Sequence, residues 1–212
     1  MTNLLRFSAC TSLVLALVGL TGCNNTPPPL HRLANPFVGT GGHGHTYPGA
    51  TAPFGMVQLS PDSRLTGWDG CGGYHYSDSV IYGFSHTHLQ GTGVSDYGDI
   101  LFAPCTQFNE GATRWSDRYA SHFSHDNEEA HAGYYQVYLD DQKINVELTA
   151  TERVGIHRYR LEEPDTLSLI IDMQHRDELV NYSIYPIGAT LLVGHRVSDN
   201  WAREQHVYFA AR

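Results

Sequence analysis

The second half of the chain alternates between hydrophobic and polar residues with the period of a β-strand. Residues 134–139 and 144–149 alternate in this way, and Asp140-Asp141-Gln142-Lys143 between them is typical of a turn. Further segments of strand length follow, with turn-forming residues between them: 154–161, 166–173, 189–193 and 206–210. Because alternating side chains can cover one face of each sheet, this series of short strands predicts an antiparallel β-sandwich.

The first half has a less regular pattern. Two apolar runs of strand length, residues 53–59 and 100–103, are flanked by glycine and proline. The period of an amphipathic helix is missing, except for a single turn predicted near residues 127–131. The sequence therefore predicts an all-β chain.

Composition limits the kind of partner. With 41% hydrophobic and 17% charged residues, the 212-residue chain has the make-up of a folded protein. Its formal net charge is −9 and Lys143 is its single lysine, whereas phosphate binding needs clusters of basic side chains. We therefore expect no nucleic-acid partner, and a neutral or cationic ligand fits better.

The N-terminal residues have the features of an export signal. Arg6 precedes an apolar run at residues 13–20 that is too short for a stable membrane span. The sequence Leu20-Thr21-Gly22-Cys23 is similar to the lipobox of bacterial lipoproteins. We predict a lipoprotein signal peptide at residues 1–22 and a lipidated Cys23 that anchors the protein to a bacterial membrane, in the periplasm or at the cell surface. An uncleaved signal anchor is the alternative.

The rest of the chain divides into a short tether and one domain. Residues 23–34, which include three consecutive prolines, predict a stiff tether, and residues 35–212 predict the β-sandwich. The strand pattern continues to the last residues of the chain. We therefore expect the sandwich to be truncated at its C-terminal end.

One stretch, residues 67–99, differs from the rest in composition. It contains eight glycines, four tyrosines, one tryptophan, three histidines and four aspartates, but neither lysine nor arginine. Glycine permits sharp turns, aromatic rings offer flat apolar faces, and Asp and His form hydrogen bonds with hydroxyl groups. These residue types predict loops that bind a neutral polyhydroxylated ligand such as a sugar.

Two His-x-His pairs, His43/His45 and His86/His88, leave a metal site open. Side chains at positions i and i+2 of a strand share a face, so each pair could present two nitrogens to zinc, with Asp69 as a further ligand. The same histidines could instead be hydrogen-bond partners in a polar pocket.

The cysteines and carboxylates leave the chemistry open as well. Cys71 and Cys105 could form a disulfide in an oxidising compartment or remain free thiols. Several aspartates could supply a catalytic acid and base, or could simply stabilise turns: Asp62, Asp69, Asp78, Asp96 and Asp99. The residues alone identify no catalytic pair.

Several long motifs are typical of a known family. They are N-P-F-V-G-T-G-G-H-G-H-T-Y-P-G-A (35–50), P-F-G-M-V-Q-L-S-P-D (53–62), G-W-D-G-C-G-G-Y-H-Y-S-D (67–78), G-F-S-H-T-H-L-Q-G-T-G (83–93), D-Y-G-D-I (96–100), G-Y-Y-Q-V-Y-L (133–139) and E-L-T-A-T-E-R-V-G-I-H-R-Y (147–159). In these motifs the chain resembles glycoside hydrolase family 92, and the resemblance extends over residues 35–212.

This resemblance implies a bacterial, calcium-dependent exo-α-mannosidase that inverts the anomeric configuration and removes terminal mannose from N-glycans or mannans. Such enzymes have an N-terminal β-sandwich followed by an (α/α)6 barrel, which supplies the general acid Glu, the general base Asp and most of the calcium ligands. The chain resembles only the sandwich. We therefore expect no catalytic residue and no metal ligand in it, a mannose-containing glycan as its ligand and the barrel as its partner domain.

The matched motifs imply a substrate-binding role for Gly67, Trp68, Asp69, Gly70, Cys71, His86 and His88. Trp68 would lie against the apolar face of the terminal mannose, and Asp69 would accept a hydrogen bond from a hydroxyl group. His86 and His88 would line or support the cleft. Two other interpretations stay open: a stand-alone carbohydrate-binding or docking sandwich, and a zinc hydrolase that uses the His-x-His pairs.

Overall fold

A computed structural model describes residues 27–212, which form strands, short 3-10 turns and loops but no α-helix. The strands are β1 (Ala50–Thr51), β2 (Gln58–Asp62), β3 (Val80–Ile81), β4 (Gly83–Ser85), β5 (Leu101–Cys105), β6 (Ser121–His122), β7 (Glu128–His131), β8 (Tyr134–Leu139), β9 (Ile144–Ala150), β10 (Gly155–Leu161), β11 (Ser168–Asp172), β12 (Glu178–Ile187), β13 (Leu191–Asp199) and β14 (Gln205–Ala211). The 3-10 turns are Leu30–Arg32, Trp68–Gly70, Ser116–Arg118 and His125–Asn127. His31–Arg212 forms one compact unit.

The predicted signal peptide and Cys23 lie outside the described residues, as does the first part of the predicted tether. Within the part of the chain that is described, no helix has the length and hydrophobicity needed to span a membrane.

The strands build four antiparallel sheets in residues 27–212. The first sheet has the strand order β1-β2-β4-β5-β11, and the second has the order β10-β9-β8-β7. Strands β12, β13 and β14 form a third sheet in that order, and β3 pairs with β6 as a two-stranded ribbon. The predicted all-β antiparallel fold is therefore confirmed.

The main hydrophobic core lies between the first two sheets. Leu59 of β2 and Phe84 of β4 are fully buried on one side. On the other side, buried and half-buried residues alternate along β8, and Val137 pairs in register with Val146 of β9. Two sheets that bury their apolar faces against each other form a β-sandwich, which is what the alternating pattern predicts.

The third sheet packs against one face of β5 through a smaller apolar cluster, in which Val207 and Phe209 join Phe102. A buried ion pair reinforces this contact. Arg196 Nη1 of β13 lies 2.5 Å from Asp99 Oδ1, and both side chains are 1% exposed. The pair therefore ties β13 to the segment that precedes β5.

Two local predictions are wrong, and one long strand was not predicted. Residues 53–59 do not form one strand, because the Gly55 amide donates to the Ala52 carbonyl in a turn and β2 begins only at Gln58. Residues 127–131 are not helical beyond the last residue of a 3-10 turn, and the others form β7. The ten-residue strand β12 was not predicted, because most of its residues are exposed and its pattern does not alternate.

Candidate functional site

Three loop segments, residues 41–45, 67–71 and 91–95, meet at one surface. Trp68 and Asp69 belong to the 3-10 turn Trp68–Gly70, which follows Gly67. Gly67 has a φ of 84°, a left-handed conformation that favours glycine, and it redirects the backbone into the turn. The local sequence thus places an aromatic ring and a carboxylate side by side.

Asp69 is held by two histidines from the first segment. His43 Nδ1 donates to Asp69 Oδ1 at 2.6 Å, and His45 Nε2 lies 3.3 Å from the same oxygen. The hydrogen bond from His43 is the main reason why the pKa of Asp69 is lowered, so the carboxylate is ionised at neutral pH. Among the described residues no hydrogen bond engages Asp69 Oδ2, which leaves that oxygen as an acceptor.

Trp68 presents its ring to solvent, with 63% of its surface exposed. The ring meets the imidazole of His45 edge-on, with 5.3 Å between centroids. It also lies against the backbone of Gly93, where a Cβ atom would come within 2.0 Å of the indole. An exposed indole beside an ionised carboxylate suits a sugar, because the ring can cover C–H groups while the carboxylate accepts from a hydroxyl.

Gly70 and Cys71 are buried behind this surface and support it. The Cys71 thiol donates to the Thr92 carbonyl at 2.6 Å, and burial raises the pKa of that thiol. The buried side chain of Arg176 donates to the Gly70 carbonyl at 2.9 Å and also to the hydroxyl of Ser95. These contacts connect the second and third loop segments, and they leave Cys71 without a surface for a ligand.

His88 faces the interior of the domain. It is 2% exposed, its Nδ1 donates to the Gln58 carbonyl at 2.7 Å, and its Nε2 lies 3.6 Å from Asp62 Oδ1. His175 Nε2 lies 3.4 Å from the same oxygen. Burial alone would raise the pKa of Asp62, but His175 and His88 hold it well below its usual range. His88 therefore stabilises a buried carboxylate.

His86 lines a separate cavity of about 660 Å³, which shares no residue with the three loop segments. Its Nδ1 donates to the Ile100 carbonyl at 2.7 Å, and its Nε2 lies 3.0 Å from His157 Nε2. The Tyr159 hydroxyl lies 2.8 Å from His157 Nδ1. Because the carbonyl can only accept, Nδ1 of His86 carries a proton. Burial lowers the pKa of both rings, so both are neutral at pH 7, and Nε2 of His86 accepts from Nε2 of His157.

The two His-x-His pairs differ in geometry. His43, His45 and Asp69 place their potential ligand atoms within 4.8 Å of one another. His86 and His88 do not converge, because they follow the end of β4 and contact different partners.

The other candidates have structural partners. Cys71 and Cys105 are free thiols, so they do not form a disulfide. Asp78 forms an ion pair with Arg64. Asp99 likewise pairs with a buried arginine, as described above.

Sequence reasoning missed three residues that complete these networks: His157, His175 and Arg176. His157 lies inside the motif at 147–159, which was a usable signal. His175 and Arg176 belong to no motif, and their role depends on contacts with residues about a hundred positions earlier.

The described residues thus form an antiparallel β-sandwich with an exposed indole and an ionised carboxylate on one loop surface. The sequence profile of the glycosyl hydrolase family 92 N-terminal domain matches residues 33–212. The chain belongs to glycoside hydrolase family 92 and corresponds to its N-terminal domain.

Solved and curated proteins support this assignment. The family GH92 alpha-mannosidase BT3965 from Bacteroides thetaiotaomicron, solved in complex with mannoimidazole, is 40% identical, with a TM-score of 0.78 over 85% of this chain. The GH92 family glycosyl hydrolase ccman5 is 29% identical, with a TM-score of 0.72 over 86% of the chain. An uncharacterized secreted glycosidase from Arthroderma benhamiae is 32% identical over 133 residues, which are 60% of this chain.

The chain covers 25% of BT3965, 26% of ccman5 and 17% of the fungal glycosidase. It therefore spans about a quarter, or less, of the length of these relatives.

Proposed function

We propose that the chain is the N-terminal sandwich of an inverting exo-α-mannosidase, and that Trp68 and Asp69 contribute to the pocket for the terminal α-mannose of N-glycans or mannans. The observation that carries this proposal is the exposed indole of Trp68 beside Asp69, whose Oδ1 is held by His43 and His45. BT3965, which is 40% identical to this chain, is an alpha-mannosidase, and this supports the choice of sugar.

The geometry suits a neutral sugar ring. The indole covers the apolar face of the ring, and Asp69 Oδ2 accepts a hydrogen bond from a hydroxyl group at its edge. Because His43 and His45 both contact Oδ1, the carboxylate cannot rotate freely. The direction of the free acceptor is therefore set before the sugar binds.

Hydrolysis with inversion needs an acid that protonates the leaving oxygen and a base that activates water on the opposite face, roughly 6.5–9.5 Å apart. In the proposed enzyme these two groups come from an (α/α)6 barrel, and the sandwich holds the sugar for them.

Calcium does not fit the side chains available here. Calcium takes about six to eight oxygen ligands. The metal-capable group within residues 27–212 consists of His43, His45 and Asp69, which supply two nitrogens and one carboxylate. We therefore assign the calcium implied for the intact enzyme to no group of side chains within residues 27–212.

We also propose that Cys23 is lipidated and holds the protein at a bacterial membrane, in the periplasm or at the cell surface. The support is the sequence Leu20-Thr21-Gly22-Cys23 after an apolar run.

Titration of the 15N-labelled chain with methyl α-mannoside tests the sugar site. The indole N–H signal of Trp68 should shift, and both Trp68→Ala and Asp69→Asn should weaken binding. Trp115→Ala is the matched control, because Trp115 is also exposed but packs on Phe108 and Arg118 instead. Equal binding by Trp68→Ala and the control would contradict the proposal. A longer protein that binds mannose through Trp68 without hydrolysing mannosides would favour the stand-alone binding sandwich.

The zinc hydrolase remains a second candidate, because His43, His45 and Asp69 have the donor types and the proximity of a zinc site. We expect no stoichiometric zinc in the purified chain. Elemental analysis that finds about one zinc per chain, lost in His45→Ala, would favour this candidate instead.

A further inference from the structure

Gly93 lies directly under the indole of Trp68. A Cβ atom built on Gly93 would be 2.0 Å from Trp68 Cη2 and 2.1 Å from Cζ3, which is closer than any real contact between carbon atoms. The backbone of Gly93 does not adopt the left-handed conformation, unlike that of Gly91, whose φ is 72°. An alanine at position 93 is therefore compatible with the backbone, and the three atoms nearest to its Cβ would all belong to the indole.

Hydrogen bonds hold the loop around Gly93 in place. The Thr92 carbonyl, next to Gly93, accepts a hydrogen bond from the buried Cys71 thiol. On the other side, Ser95 accepts from the buried guanidinium of Arg176. The Gly91 amide donates to the His45 carbonyl at 2.9 Å. A side chain at position 93 would therefore displace the ring of Trp68, which is the more exposed of the two partners.

We propose that Gly93 is a positioning residue for the sugar site, and that its missing side chain sets the orientation of Trp68 relative to Asp69. This inference rests on the proposed function, since it assigns Gly93 a role in binding the same sugar. A side chain at position 93 would push the ring out of its present position, and so change its orientation relative to Asp69.

The test compares the single variants Gly93→Ala and Trp68→Ala with the double variant, in the full 15N-labelled chain. Gly93→Ala should move the Trp68 indole signal in the absence of sugar. It should also weaken binding of methyl α-mannoside by at least about fivefold, the lower end of the effect of a stacking contact. Adding Gly93→Ala to Trp68→Ala should not weaken sugar binding further, because the indole that would clash with the new methyl group is absent.

Gly111→Ala is the control, because a Cβ there meets only Asn109 Oδ1 at an ordinary 3.5 Å and the backbone is not left-handed. It should leave the indole signal and sugar binding unchanged. If Gly93→Ala lowers the melting temperature, the double variant should restore it to that of Trp68→Ala.

Three outcomes separate the two proposals. An unchanged Trp68 signal in Gly93→Ala would overturn the role of Gly93. So would a loss of binding or stability on Gly93→Ala that is equal in the wild-type and in the Trp68→Ala background. Unchanged sugar binding in Trp68→Ala would instead refute the sugar site itself. In that case a shifted indole signal in Gly93→Ala would still support the packing of the Trp68 ring on Gly93.

Discussion

Acidification from pH 7 to pH 4 should destabilise the domain through His157. The ring lies between His86 Nε2 at 3.0 Å and the Tyr159 hydroxyl at 2.8 Å. A second proton on His157 would place a positive charge in a largely desolvated position beside His86. Burial, together with the neighbouring His86, lowers the pKa of His157 to about 3.

Proton linkage determines the sign and the size of this change in stability. An unfolded histidine titrates near pH 6.5. Between that value and about 3, the unfolded state binds a proton that folded His157 does not, so stability falls as the pH decreases through this window. At pH 4 the solution is about 2.5 units below the unfolded pKa, and at about 1.4 kcal/mol per unit the loss is about 3 kcal/mol. The pKa of His86 is lowered in the same direction, mainly by burial, and adds to the effect.

Urea unfolding at several pH values between 7 and 4 measures this loss, with His157→Gln as the matched variant. A glutamine amide can donate to His86 and accept from Tyr159 but does not titrate. The variant should therefore be less stable at pH 7 and lose less stability on acidification. Parallel stability curves for the two proteins would refute the reasoning, and so would an NMR titration in which the His157 ring is protonated near pH 6.5.

Four other predictions concern separate parts of the protein. Arg196→Ala should cost about 3–5 kcal/mol in urea unfolding, because it leaves the buried carboxylate of Asp99 without its ion-pair partner. Arg158→Ala should cost about 1 kcal/mol or less, because the Arg158 side chain is 62% exposed and Arg160 still pairs with Glu147. Equal costs for the two variants would contradict this. In a longer, active protein, Trp68→Ala should lower kcat/KM by a factor that corresponds to about 1–3 kcal/mol of transition-state stabilisation, without lowering the melting temperature. The chain alone should not release mannose from α-mannosides, and calcium-dependent release that Asp69→Asn abolishes would place the catalytic centre in this domain. Cys23→Ser should move the protein to the soluble fraction and abolish labelling with a fatty acid, and unchanged fractionation would argue against a lipid anchor.

The sequence by itself determined the class of fold and part of the candidate site. Alternation along β8 and β9 is a local property, since neighbouring residues of a strand point to opposite faces, and it predicted the sandwich correctly. Trp68 and Asp69 could be named together because they are adjacent in one short turn. Prediction failed where local pattern was weak, as in the mostly exposed strand β12.

Only the tertiary structure decided which side chains meet across the sheets. His43 contacts Asp69 from 26 positions away, His157 contacts His86 from 71, and Arg176 reaches the Gly70 carbonyl from 106. No local periodicity encodes such pairs, because they depend on how strands that are distant in the chain pack against one another. The same packing turned His88 inwards towards Asp62 and placed Gly93 under the indole of Trp68.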